Sequence, residues 1–135
     1  MKLKNVMSVL LLALLMMGAY AKEPAATIKV VDIRDVTTVV TRASSSSSSS
    51  CHSPDFPVLR GGSYRDVNFN ELSRIIVHHD QQVKDAANYI GIELVAKDGK
   101  AEVLEMIKHI RFTGNTKNGE FSIMVKDIKT VEVIE

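Results

Sequence analysis

The chain has 135 residues, 17 basic and 16 acidic side chains, 45% hydrophobic residues, no tryptophan and one cysteine. The near-neutral balance, with basic residues scattered from Arg34 to Lys126, gives no electrostatic basis for binding nucleic acid or an anionic membrane. A single thiol excludes a disulfide within the chain, so stability must come from buried Val, Ile and Leu in one compact domain.

At the N-terminus, Lys2 and Lys4 precede an apolar run from Val6 to Met17. Ala19 and Ala21 then stand two apart before Lys22. This is the charged, apolar and cleavage-site order of a secretory signal peptide over residues 1–21. The run is short of the roughly 20 apolar residues that span a bilayer. The expectation is an exported chain, periplasmic or secreted, that starts at Lys22 and keeps no stable membrane anchor.

From there the pattern is that of strands. Ile28-Lys29-Val30 and Val36–Val40 flank a turn at Arg34-Asp35. The serine run over 44–50 follows, ending in Cys51-His52. Serine homopolymers bury too little to offset the entropy of ordering, which predicts a flexible insertion at a hairpin tip. Gly61-Gly62 turns between Val58-Leu59 and Tyr64, within a segment (Arg60 to Arg65) whose two cations and aromatic ring suit a binding turn or an ordinary exposed hairpin. Residues 81–88 read as a linker. Val83, Ala86, Ala87 and Ile90 have helical spacing, predicting a short helix or, in its place, a strand pair turning at Asp80-Gln81. Asp98-Gly99 and Asn118-Gly119 mark two further hairpins. Ile128 to Glu135 reads as a closing strand; at a sheet edge, its Val131 and Val133 would be free to pair with another chain.

The two halves correspond. Val67 to Val77 lies over Ile123 to Val133, and Phe56 over Phe112, at one constant offset; Ile28-Lys29-Val30 lies over Ile92-Glu93-Leu94 at an offset eight residues longer. The difference falls where the serines stand. The expectation is a tandem repeat, 22–80 and 89–135, whose first copy carries an insertion at 44–50. Each half has room for about five strands, with a short polar turn (Asn70-Glu71 or Lys126-Asp127) before the last. That layout suits an SH3-like or Sm-like small barrel. The expected class is therefore all-β, about ten short strands in two similar five-stranded halves, as small barrels or one merged sandwich.

Little chemistry stands out. Cys51, His52, His78 and His79 are ligand types that zinc takes, but their spacing matches no metal motif, and His78 and His79 would point to opposite faces of a strand. Cys51-His52 lacks a third group to orient the imidazole, as nucleophilic catalysis requires. His109 reads as a solvated side chain. No catalytic, cofactor or metal residue is assigned. The expected function is a non-catalytic binding or interaction module of the cell envelope or exterior, its partner another exported protein or a second copy. A metal- or thiol-dependent protein using Cys51 with the three histidines is the alternative, and a self-associating structural component of the envelope a third.

Overall fold

The structure is a computed structural model and describes residues 25–48 and 51–134. The expected signal peptide over 1–21 lies outside the described residues, as does the side chain of Cys51.

Alternation of apolar and polar residues becomes strand after strand. In β1 (Thr27–Asp32) Ile28 and Val30 are buried while Lys29 faces solvent. The turn to β2 (Thr37–Ser48) is held by the Asp32 carboxylate, which accepts from the backbone N–H groups of Arg34 at 2.8 Å and Val36 at 3.0 Å. Asp35 takes a left-handed φ of +63° there, a conformation Asp tolerates better than most residues. After β3 (Cys51–Ser53) come the hairpin β4 (Asp55–Arg60) and β5 (Ser63–Asn68), a 3-10 turn at Phe69–Glu71, and β6 (Leu72–His78). The remainder is β7 (Tyr89–Ala96), β8 (Ala101–Ile107), β9 (Arg111–Thr116), β10 (Gly119–Met124), a second 3-10 turn at Val125–Asp127, and β11 (Ile128–Ile134). The β7–β8 turn includes Asp98-Gly99, where the sequence pattern puts it, whereas the β9–β10 turn falls at Lys117-Asn118, one residue before the expected pair, and Gly119 opens β10 with a left-handed φ of +125°.

The strands join in one curled antiparallel sheet in the order β10-β9-β2-β1-β11-β6-β7-β8-β4-β5, with β3 pairing β2 off this path. The order reads alike from both ends. The β1–β2 hairpin lies between β11 and β9 of the C-terminal half, and β7–β8 lies between β6 and β4 of the N-terminal half. At the centre β6 and β11 pair with each other, through Ile75 and Val131. The class is all-β, and the strands of the two halves are interleaved in a single sheet.

Curling brings the two ends of this sheet together over a phenylalanine triangle. Phe56 of β4, Phe69 of the first 3-10 turn and Phe112 of β9 are buried, with ring centroids 5.0 to 5.3 Å apart and tilted or edge-on contacts. These are favourable geometries for aromatic pairs. Ile28, Val30, Ile92, Leu94 and Leu104 continue the core along the inner face.

Three expectations are corrected. Ser44 to Ser48 are not a flexible tip but the far end of β2; Ser44, Ser45 and Ser46 pair with Thr113, Phe112 and Arg111 of β9. Ser45 and Ser46 are buried, and the Ser45 hydroxyl donates to the Asp55 carbonyl at 2.5 Å. Strand neighbours on both sides satisfy the backbone there, which outweighs the poor strand preference of serine. The linker 81–88 forms no helix; it ends in a turn in which Asn88 N–H and Tyr89 N–H donate to the Asp85 carbonyl. The closing strand β11 is interior, between β1 and β6, and β10 and β5 end the strand path instead.

Truncating Phe112→Ala removes one corner of the triangle and is expected to lower unfolding free energy by about 3–5 kcal/mol in denaturant titration. Val103→Thr, on an exposed position, is expected to change it by less than about 0.5 kcal/mol.

Candidate binding groove

One outward face of the sheet gathers many polar side chains, and a bulge in β2 shapes it. Thr41 pairs with Asn115 and Ser44 with Thr113, which leaves Arg42 and Ala43 opposite Gly114 alone. Arg42 takes a left-handed φ of +54°, a conformation that costs a non-glycine residue of order 1–3 kcal/mol. The extra residue resets the alternation, so that Val40, Ala43 and Ser45 face the core. Gly114 permits the close approach. A Cβ at that position would lie 2.4 Å from Val40 Cγ1 and 2.6 Å from the Thr41 carbonyl oxygen.

Above this bulge lies a groove of about 740 Å³ between β2, β9 and β10. Ser44, Ser46 and Ser47 form one wall, Arg111, Thr113 and Asn115 the floor, and Glu120 and Ser122 the far side. Its hydroxyls are linked: Ser44 Oγ and Thr113 Oγ1 share a hydrogen bond of 2.7 Å, and His52 Nδ1 lies 3.2 Å from the same Thr113 oxygen. Arg111 Nη1 donates to Ser122 Oγ at 3.1 Å. Arg42 and His109 complete the lining. Among the described residues no ion pair involves Arg42, Arg111 or Glu120, whereas Arg65, Lys126 and Lys129 each lie beside a carboxylate. Hydroxyls, which donate and accept, and the two guanidinium groups, which only donate, supply most of the polar groups of this face.

The topologically equivalent face at the other end of the sheet differs. There β4 and β5 present Asp55, Pro57, Leu59, Tyr64 and Asp66. The Tyr64 and Tyr89 hydroxyls are hydrogen-bonded to each other. That bond is the first cause holding the Tyr89 phenol above its ordinary value of 10.0; desolvation and the charges of Tyr64, Asp85 and Glu105 add to it. A raised phenol favours the folded state below the ordinary tyrosine value, and the contribution fades as pH rises through the folded-state value.

The candidate ligands named by sequence are dispersed. His52 faces Thr113 in the groove. His78 Nε2 lies 3.3 Å from Glu93 Oε1 across the β6–β7 pair, and His79 Nε2 donates to the Ile128 carbonyl at 2.7 Å. Four strand steps separate β9 from β6 along the sheet. Among the described residues no group of three His, Cys, Asp or Glu is placed to hold a metal ion. The arginines of the groove were not singled out by sequence. Arg111-x-Thr113-x-Asn115 is a polar face of a strand and legible in principle, but Arg42 reaches it only through the bulge.

The match between this chain and a family extends over residues 22–135, which includes every strand described above. The chain belongs to that family, whose description is "Uncharacterised protein". No curated relative matches it.

Two outcomes follow from these contacts. Gly114→Ala is expected to cost about 1–3 kcal/mol and to move the amide resonances of Thr41 to Ala43, because a backbone carbonyl must give way. Gly62→Ala, where an added Cβ meets nothing within 4 Å, serves as the silent control. Tyr64→Phe removes the main cause of the Tyr89 shift and is expected to lower the Tyr89 titration midpoint in an ultraviolet absorbance titration.

Proposed function

We propose that this protein is an exported, non-catalytic binding module that holds its ligand in the β2–β9–β10 groove. The observation that carries the reading is the groove itself. Its volume is within the usual range for ligand sites, and two arginines without an ionic partner among the described residues stand in it with linked hydroxyls. An exposed arginine on a sheet face is ordinary, but two that share one concave surface with serine, threonine and asparagine make a donor array. Export rests on the charged, apolar and small-residue order of residues 1–21.

The scaffold is a duplicated unit in this reading. The bounds of β4, β5, the first 3-10 turn and β6 recur 56 residues later as those of β9, β10, the second turn and β11. The first residues of β2 and β8, Thr37 and Ala101, are 64 apart. Such recurrence supports a tandem duplication whose copies exchange their first two strands, leaving two equivalent outer faces free to diverge. One has become basic and hydroxyl-rich, the other acidic and aromatic.

N-terminal sequencing of the protein from the cells that make it is expected to begin at Lys22 in the exported fraction; an intact Met1 form confined to the cytosol overturns the export reading. Titrating isotope-labelled protein with the concentrated small-molecule contents of that compartment is expected to shift resonances of Arg42 to Ser47 and Arg111 to Asn115. Shifts confined to other faces, or none at all, overturn the groove as the binding site.

A further inference from the structure

We infer that the ligand class of this groove is an acidic saccharide, a sugar ring carrying a carboxylate, phosphate or sulfate group; the inference rests on the binding-module reading above. Three features of the site lead there. The first is uncompensated positive charge. Arg42 and Arg111 both line the groove, and neither has an ion-pair partner among the described residues. Arg111 uses Nη1 to hold Ser122, which fixes its guanidinium and leaves the remaining donors of the fork for an oxyanion. Guanidinium groups are suited to carboxylate, phosphate and sulfate because two parallel N–H donors match two oxygens.

The second feature is the space between the cations. Arg42 lies opposite Gly114, three residues along β9 from Arg111, so the two side chains root roughly 10 Å apart along the strand. Ser44 and Thr113 stand between them, Asn115 lies one residue beyond Gly114, and Glu120 pairs with Asn115 from β10. Hydroxyls and a side-chain amide both donate and accept, and a carboxylate accepts from hydroxyl donors. That mixture matches a ring bearing several hydroxyl groups better than a small inorganic anion, which is mostly acceptor and too small to reach both the arginines and Glu120. The half-buried Phe121 adds an apolar margin.

The third feature is that the fold does not require this chemistry. At the equivalent positions 56 residues earlier, Asp55 stands for Arg111, Pro57 for Thr113, Leu59 for Asn115, Tyr64 for Glu120 and Asp66 for Ser122. The same strand pairing is thus satisfied without a single cation on that face. Retaining a left-handed arginine at position 42 in the middle of a strand points the same way, since strained backbone collects at binding sites.

The test is an NMR titration of the protein purified from the cells that make it, with glucuronate, glucose 6-phosphate, glucose 6-sulfate, neutral glucose and inorganic phosphate as separate probes. At least one acidic sugar is expected to shift Thr113, Asn115 and the Arg42 and Arg111 side-chain resonances at concentrations where glucose does not. Which of the three does so distinguishes carboxylate, phosphate and sulfate as the anionic group. Arg111→Ala and Arg42→Ala are each expected to weaken that binding about tenfold or more, and Arg111→Lys to restore it only in part. Circular dichroism and thermal unfolding of each variant separate lost binding from lost folding; should an alanine variant fail to fold, the lysine variant carries the comparison. Equal shifts from inorganic phosphate and from the sugar phosphate overturn the saccharide and leave an anion site. Groove shifts from glucose alone overturn the anionic class and leave the binding module standing. Silence of the groove to every probe, while the compartment contents still shift it, overturns this ligand class without touching the module; silence to both ends both readings.

Discussion

Everything in this molecule depends on how a ten-strand path is made to curl. An open antiparallel sheet of that width has two exposed ends and an apolar face wider than any single neighbour covers. The phenylalanine triangle resolves this. Phe112 stands on the second strand from one end and Phe56 on the second from the other, so their contact, completed by Phe69, closes the sheet over its own core. The hydrogen bond from Ser45 of β2 to Asp55 of β4 ties the same two regions. With no disulfide to staple the chain, closure rests on these buried contacts.

Closure on the inner side sets what the outer side can do. Because β2 supplies both core residues and residues of the groove, it changes its alternation at a bulge, and Gly114 leaves the room for it. The groove is a consequence of that bend. Apart from His109, which stands on a turn, its hydrogen-bonding side chains sit on strands, so their spacing is set by the sheet. The opposite end of the sheet has the same backbone pairing but a tyrosine pair and acidic residues, which shows how far side chains alone change such a face.

Much of the fold is legible in the residues. Asp98-Gly99 and Asn118-Gly119 mark their hairpins, the second to within one residue, because each glycine accepts the left-handed φ its position requires. Phe121 and Ile123 alternating with Glu120 and Ser122 identify a strand with one covered side. Asn70-Glu71 and Lys126-Asp127 mark the breaks where the 3-10 turns form. The serine run misleads, because low hydrophobicity predicts disorder when the segment is considered alone, whereas β9 and β3 supply the backbone partners that hold Ser44 to Ser48 as strand. The groove was hidden for a related reason. Arg42, Arg111 and His52 are far apart in the chain, and nothing local says that one concave surface gathers them.

Local chemistry by itself thus determined the all-β class, the turn positions, the strand-forming segments and the correspondence between the halves, since each depends on residues within a few positions of one another. Which strands became neighbours was decided only in three dimensions. A strand carries no label for its partner, and pairing β1 with β11 or β2 with β9 depends on the whole apolar face being covered at once. The interior place of β11, the burial of serines and the presence of Arg42 and Arg111 in one groove all follow from that collective choice.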